Sequence, residues 1–189
     1  DYLTTYKKAT NFGIYAADMA YCSVFGDYQE TLLYFNTTKK LALELDLYNS
    51  FGEELANKIN NNLVEVDSLI EITSQSYNDV SVYLEDQGLT DIQCLIVAGG
   101  WIESLYLCFS SNKDCKIDQA TLERIADQQI LLENLINFLE NNQHSSNVRI
   151  ILNKLKELQL EYDVLYANND NTIITKQQFV NIANKVTEI

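Results

Sequence analysis

Residues 92–109 have the sequence IQCLIVAGGWIESLYLCF, which is apolar on every side of a helix and carries one charge, at Glu103. A helix that is apolar all round is stable only where neighbours surround it. Residues 12–25, FGIYAADMAYCSVF, have the same character, with Asp18 as their only charge. We therefore expect these two helices to lie at the centre of the domain and to pack against each other.

The rest of the chain has apolar residues at three- and four-residue steps, the period of an amphipathic α-helix. It contains no proline and only six glycines, so capping residues must mark most helix ends. The predicted helices cover about residues 3–25, 28–47, 55–84, 91–109, 118–140, 146–165 and 175–189. The third is either one long helix or two in tandem, broken at residues 60–62.

Capping signals support these boundaries. Helices are predicted to end at Gly26 and Gly88. They are predicted to begin at Thr90 or Asp91, at Asp118, and at Ser145 or Ser146. Capping boxes are predicted for Ser50 with Glu53 and for Thr175 with Gln178. The very short turn at Gly26 predicts an antiparallel hairpin of the first two helices. The predicted fold is one all-α domain over residues 1–189, a helical bundle or stacked antiparallel hairpins with about seven helices.

The charge of the chain limits its partners. The net charge is −14 and the isoelectric point is about 4.3, so the protein repels nucleic acid and anionic lipid surfaces. The longest apolar runs, residues 14–25 and 94–109, are predicted to be too short to cross a bilayer. The expected partner is therefore a protein or a small-molecule ligand rather than nucleic acid or a membrane surface.

Metal and cofactor sites are not predicted. The four cysteines, Cys22, Cys94, Cys108 and Cys115, have no C-x-x-C spacing, and the only histidine is His144 in a polar stretch. Gly99 and Gly100 follow no strand and precede no lysine, so they do not form a phosphate loop. Cys108 and Cys115 flank a short polar loop; they form a disulfide in an oxidising compartment, or else are ordinary cysteines.

The two lone acids are the residues that a scaffold explains least well. An ionised carboxylate in a core is costly unless it is paired or hydrogen-bonded. One interpretation places Asp18 and Glu103 in a pocket between their helices, binding a polar ligand or acting as a general acid and base. The other gives them a structural role, bonded to a tyrosine hydroxyl or a backbone amide. The predicted pocket lining comprises Tyr15, Tyr21, Trp101 and Tyr106.

Two segments are distinctive: NFGIYAADMAY at 11–21 with the following FGDYQETLLYFNTTKKLALEL at 25–45, and AGGWIESLYL at 98–107. Together they resemble a group of uncharacterised all-helical lipoproteins of Bacteroidetes. The resemblance implies an exported protein, periplasmic or anchored to the outer membrane, whose anchoring cysteine precedes Asp1. It implies no activity and no site residue.

The sequence has no complete catalytic set: G-x-S-x-G, H-E-x-x-H and a helical histidine for a triad are all missing. We therefore expect a non-catalytic ligand- or partner-binding protein of the bacterial cell envelope. The alternative is an enzyme that uses Asp18 and Glu103 as a buried carboxylate pair.

Overall fold

A computed structural model describes residues 4–47, 57, 66–111, 118–166 and 174–189. Over these ranges the chain is helical and contains no strand, which confirms the all-α prediction. The helices are α1 (Thr5–Val24), α2 (Tyr28–Glu44), α3 (Val66–Asp86), α4 (Thr90–Ser111), α5 (Gln119–Asn141), α6 (Ser146–Tyr166) and α7 (Lys176–Glu188).

Three helices end in the same way, with a residue in the left-handed region that reverses the chain. Gly26, Asp46 and Gly88 have φ of 73°, 60° and 67°. After each of them an amide donates to a carbonyl five residues back, as Leu89 does to Leu84 at 2.8 Å, so the last carbonyls of each helix are satisfied. Gly26 and Gly88 were predicted ends. Asp46 was missed because glycine is the usual residue at this position.

The predicted helix starts can be checked at four places. Asp118 accepts from the amide of Thr121, Ser145 from that of Val148, and Thr175 forms the predicted capping box with Gln178. α4 begins at Thr90, so Leu89 occupies its N-terminal capping position, which was predicted for Thr90 or Asp91. Ser50, Glu53 and residues 60–62 lie outside the described residues.

The chain divides into two compact units, Asp1–Ser104 and Leu105–Ile189, and α4 contributes to both. The single-domain organisation stays a prediction. In the first unit α1 and α2 form the predicted antiparallel hairpin, with Ala9, Met19 and Phe35 buried along its seam. Lys8, near the start of α1, pairs with Glu44, at the end of α2, at 3.0 Å.

α1 and α4 cross at backbone contact. A Cβ on Gly13 would lie 2.1 Å from the carbonyl oxygen of Ile96, and one on Gly99 would lie 2.4 Å from that of Thr10. A Cβ on Gly100 would lie 3.3 Å from the carbonyl oxygen of Gly13. The predicted packing of these two helices is therefore confirmed, and the glycines allow it.

α4 is also, among the described helices, the one long and apolar enough to cross a membrane by length and composition. The prediction that its apolar run is too short is wrong, because the helix extends beyond the run at both ends to 22 residues. A buried helix of a soluble protein passes the same test, so this length carries no further conclusion.

The second unit contains α5, α6 and α7. Its core is formed by apolar residues of all three helices, with Leu132, Leu155, Leu158 and Ile182 fully buried. The rings of Phe109 and Phe179 pack edge to face, with their centroids 4.8 Å apart. The ammonium group of Lys154 donates to the carbonyl oxygens of Glu188 and Ile189, the unpaired acceptors at the end of α7.

We predict that Gly13→Ala destabilises the protein by about 3 kcal/mol or more, because its Cβ meets backbone that no rotamer change can move. The helix propensity of alanine would by itself stabilise by about 1 kcal/mol, so the sign of the change reports the crossing. Gly88→Ala is the control. Its Cβ meets nothing within 4 Å and only the positive φ opposes it, at a cost of about 1–2 kcal/mol. Urea denaturation measures both, and a Gly13→Ala protein as stable as the wild type contradicts the crossing.

Candidate functional site

Asp18 on α1 and Glu103 on α4 form an acid pair beside the glycine crossing. Both carboxylates are half-buried. Desolvation, followed by the charge of Asp18, raises the pKa of Glu103 from its ordinary 4.5 to about 7, and desolvation also raises the pKa of Asp18. The two acids therefore interact electrostatically, and Glu103 holds its proton into the neutral range.

Tyr34 of α2 lies near both acids. Burial raises the pKa of its phenol, and the charges of Asp18 and Glu103 are among the further causes. The ring of Tyr15 lies 6.0 Å from that of Tyr34, centroid to centroid, at a tilt of 33°. The acid pair is thus surrounded by α1, α2 and α4, with two tyrosines on the α1–α2 side.

A separate groove opens between α1, α3 and α4. Its volume is about 470 Å³, within the range of pockets that hold small molecules. Its walls are Phe12, Gly13, Ala16 and Ala17 of α1, Tyr77 and Asn78 of α3, and Ile96, Val97, Gly100, Trp101 and Ser104 of α4. None of these residues is charged. The small residues of the crossing leave the space, and the aromatic rings line it.

The acid pair does not line this groove, although the adjacent residues Ala17 and Ser104 do. Neighbouring residues of a helix point about 100° apart, so the side chains of Asp18 and Glu103 lie on one side of the crossing and the groove on another. The predicted pocket between the two helices is therefore two features, one polar and one apolar.

The structure places the six predicted site residues in different surroundings. Asp18, Glu103 and Tyr15 belong to the acid cluster, and Trp101 to the groove. Tyr21 packs against Phe25 at 4.6 Å between ring centroids. Tyr106 belongs to the second unit, where it borders a smaller groove with Phe179 and Ala183. The functional roles of these residues stay predictions.

Tyr34, Ala16 and Tyr77 were missed by sequence reasoning. Tyr34 and Tyr77 lie on amphipathic helices, where tyrosine is an ordinary residue at the edge of a core. One signal was available for Ala16 and Ala17: they follow Gly13 at helical spacing, and small residues on one face of a buried helix permit close approach or a cavity. The sequence does not distinguish between those two outcomes.

Among the described residues, the cysteines form neither a redox site nor a metal site. Burial raises the pKa of Cys22, Cys94 and Cys108, and that of Cys94 reaches about 12, so these thiols stay protonated at neutral pH and are poor nucleophiles. Cys115 lies outside the described residues, and its pairing with Cys108 stays a prediction. Within the described part of the chain no three His, Cys, Asp or Glu side chains come together to hold a metal ion.

No protein-family model, characterised protein or solved structure matches this chain. The resemblance to lipoproteins of Bacteroidetes therefore stays a prediction.

We predict that Glu103 makes the stability of the fold depend on pH. Below about pH 4.5, its ordinary pKa, the carboxyl is protonated in both states. As the pH rises from there to about 7, the unfolded chain loses this proton while the folded chain keeps it, so stability falls with rising pH and the loss is complete above the folded pKa.

Glu103→Gln removes this loss. At about pH 8 the variant should exceed the wild type in stability by about 1 kcal/mol, a value reduced for the solvent that reaches a half-buried carboxyl. At about pH 4 the two proteins should be equally stable. Urea denaturation at both values measures this, and a variant less stable than the wild type at about pH 8 shows that the ionised carboxylate is bonded rather than strained.

Proposed function

We propose that the protein is a non-catalytic binding protein of the bacterial cell envelope, and that it holds a small, uncharged, largely apolar ligand in the groove between α1, α3 and α4. The groove itself supports this most directly. It offers about 470 Å³ of space between helices, and ligand sites in helical proteins commonly lie between helices, with apolar walls and a few polar groups.

The lining limits the chemistry of the ligand. Phe12, Ile96 and Val97 present apolar surface, and Tyr77 and Trp101 present rings on which a flat molecule can stack. The polar groups are few: the amide of Asn78, the hydroxyls of Tyr77 and Ser104, and the indole N–H of Trp101. The Ser104 hydroxyl already donates to the carbonyl of Gly100 at 2.8 Å. A charged ligand would lose its hydration without gaining a partner, so a neutral one is favoured.

A second candidate is an enzyme that uses the acid pair, and one observation favours it. The pKa of Glu103 is raised to about 7, beside Asp18, which is the property of a general acid working near neutral pH. Non-catalytic binding has better support because the pair does not face the groove, so a ligand held there does not touch the carboxylates.

Trp101 provides a direct test because it is the only tryptophan in the chain and lines the groove. We expect the neutral dye N-phenylnaphthylamine to quench Trp101 emission and to gain fluorescence of its own on binding. Ala16→Leu should weaken binding by roughly tenfold or more, because its side chain fills the groove.

Ala20→Leu is the matched control, with the same substitution on the same helix at an exposed position, and should bind as the wild type does. Equal binding by both variants contradicts the groove as the site. The enzyme hypothesis gains support if the protein converts a substrate, and if Asp18→Asn and Glu103→Gln stop that conversion without affecting dye binding in the groove.

The envelope location is supported by the resemblance of residues 11–21, 25–45 and 98–107. We predict that, in cells that produce the protein from its native gene, an antibody against this chain detects it in the membrane or periplasmic fraction. Globomycin, which blocks lipoprotein maturation, should shift its gel mobility. Recovery in the cytosolic fraction, with mobility unchanged by the drug, contradicts this part of the proposal.

A further inference from the structure

The turn between α1 and α2 carries an exposed apolar surface, which we call the hairpin tip. It consists of Val24, Phe25, Tyr28 and Leu32, which are 52%, 70%, 57% and 36% exposed. Tyr28 lies two turns before Phe35 on the same face of α2, and Phe35 is buried. The apolar seam of the hairpin therefore continues into solvent at the tip, where surface of this kind marks a binding site more often than chance exposure does.

The hairpin tip is rigid for an exposed turn. Gly26 reverses the chain with φ of 73°, the amide of Asp27 donates to the carbonyl of Cys22 at 2.9 Å, and the Asp27 carboxylate caps α2 by accepting from the amide of Glu30. The ring of Phe25 packs on that of Tyr21. Aromatic side chains held in this way lose little entropy when a partner covers them.

The charge of the hairpin on both sides of the tip, residues 9–38, is of one sign. From Ala9 to Thr38 the chain has no lysine or arginine and three carboxylates, Asp18, Asp27 and Glu30. The charges of all three carboxylates reach Cys22, close to the tip: after desolvation, they are the causes that raise the pKa of its thiol. The hairpin tip is thus an apolar surface in a negative field.

The negative charge at the hairpin tip limits which partner can bind there. A second copy of the chain would bring the same three carboxylates against these, and an anionic lipid surface would meet like charge as well. We propose that the hairpin tip binds a protein segment that presents apolar side chains flanked by lysine or arginine, such as one face of a basic amphipathic helix. This interaction is distinct from ligand binding in the groove.

The test uses a synthetic helical peptide with leucine on one face and lysine on the other, and a second peptide with glutamate in place of lysine. The lysine peptide should bind the full chain by isothermal titration calorimetry, and the glutamate peptide should not. Phe25→Ser combined with Tyr28→Ser should weaken binding by roughly tenfold or more. Leu160→Ser with Val164→Ser, at residues 65% and 50% exposed on α6, is the matched control and should bind as the wild type does.

A second variant tests the charge. Asp27→Asn with Glu30→Gln keeps the helix cap, because asparagine caps as well as aspartate, and should weaken binding by roughly threefold, as should about 0.5 M salt. Circular dichroism and dye binding in the groove establish that each variant is folded.

Several results would overturn the proposal. They are equal loss of binding in the α6 control, no loss in the Phe25 and Tyr28 variant, binding of the glutamate peptide, or binding of anionic vesicles through the tip. A dimer of the wild-type chain in sedimentation that Phe25→Ser and Tyr28→Ser abolish would make a second copy the occupant and would overturn it too.

Discussion

The contact on which the first unit depends is the backbone-to-backbone approach of α1 and α4. At most helix crossings side chains keep the axes 8–10 Å apart, but here Gly13 and Gly99 each face a carbonyl oxygen of the other helix with no room for a Cβ. Glycine in a helix costs about 1 kcal/mol against alanine. The closer packing offsets that cost, since dispersion and the exclusion of water both gain from it.

Close approach at one point creates space next to it. Where α1 and α4 diverge from the crossing, Ala16 and Ala17 are too small to fill the gap that Trp101 and Tyr77 border, and a groove results. On another side the same divergence leaves Asp18 and Glu103 half-buried and near each other. Glu103 then keeps its proton into the neutral range, first because burial disfavours its charged form and second because the charge of Asp18 opposes it.

The sequence predicts the helices well because their signals are local. Apolar spacing within each helix and the residues Asp118, Thr175, Gly26 and Gly88 determine bounds within a few residues. The α1–α4 packing was also predictable, since each helix is apolar all round. The arrangement at the site was not. Trp101 and Glu103 are two residues apart and therefore point about 200° apart around α4. Which of them faces the groove depends on the rotation of α4 about its axis, and a helix apolar on every side gives no amphipathic pattern from which to read that rotation.

α1 illustrates why such a helix tolerates so little change. At 100° per residue, Gly13 lies against α4, Ala16 and Phe12 line the groove, and Asp18 with Tyr15 lies towards the acid cluster. Its last turn then carries Val24 and the exposed Phe25 into the hairpin tip. An ordinary surface helix has a solvent face that can vary freely. α1 has little such face, so substitutions along it act on packing, on the groove, on the carboxylates or on the tip, and the position within the turn decides which of these is affected.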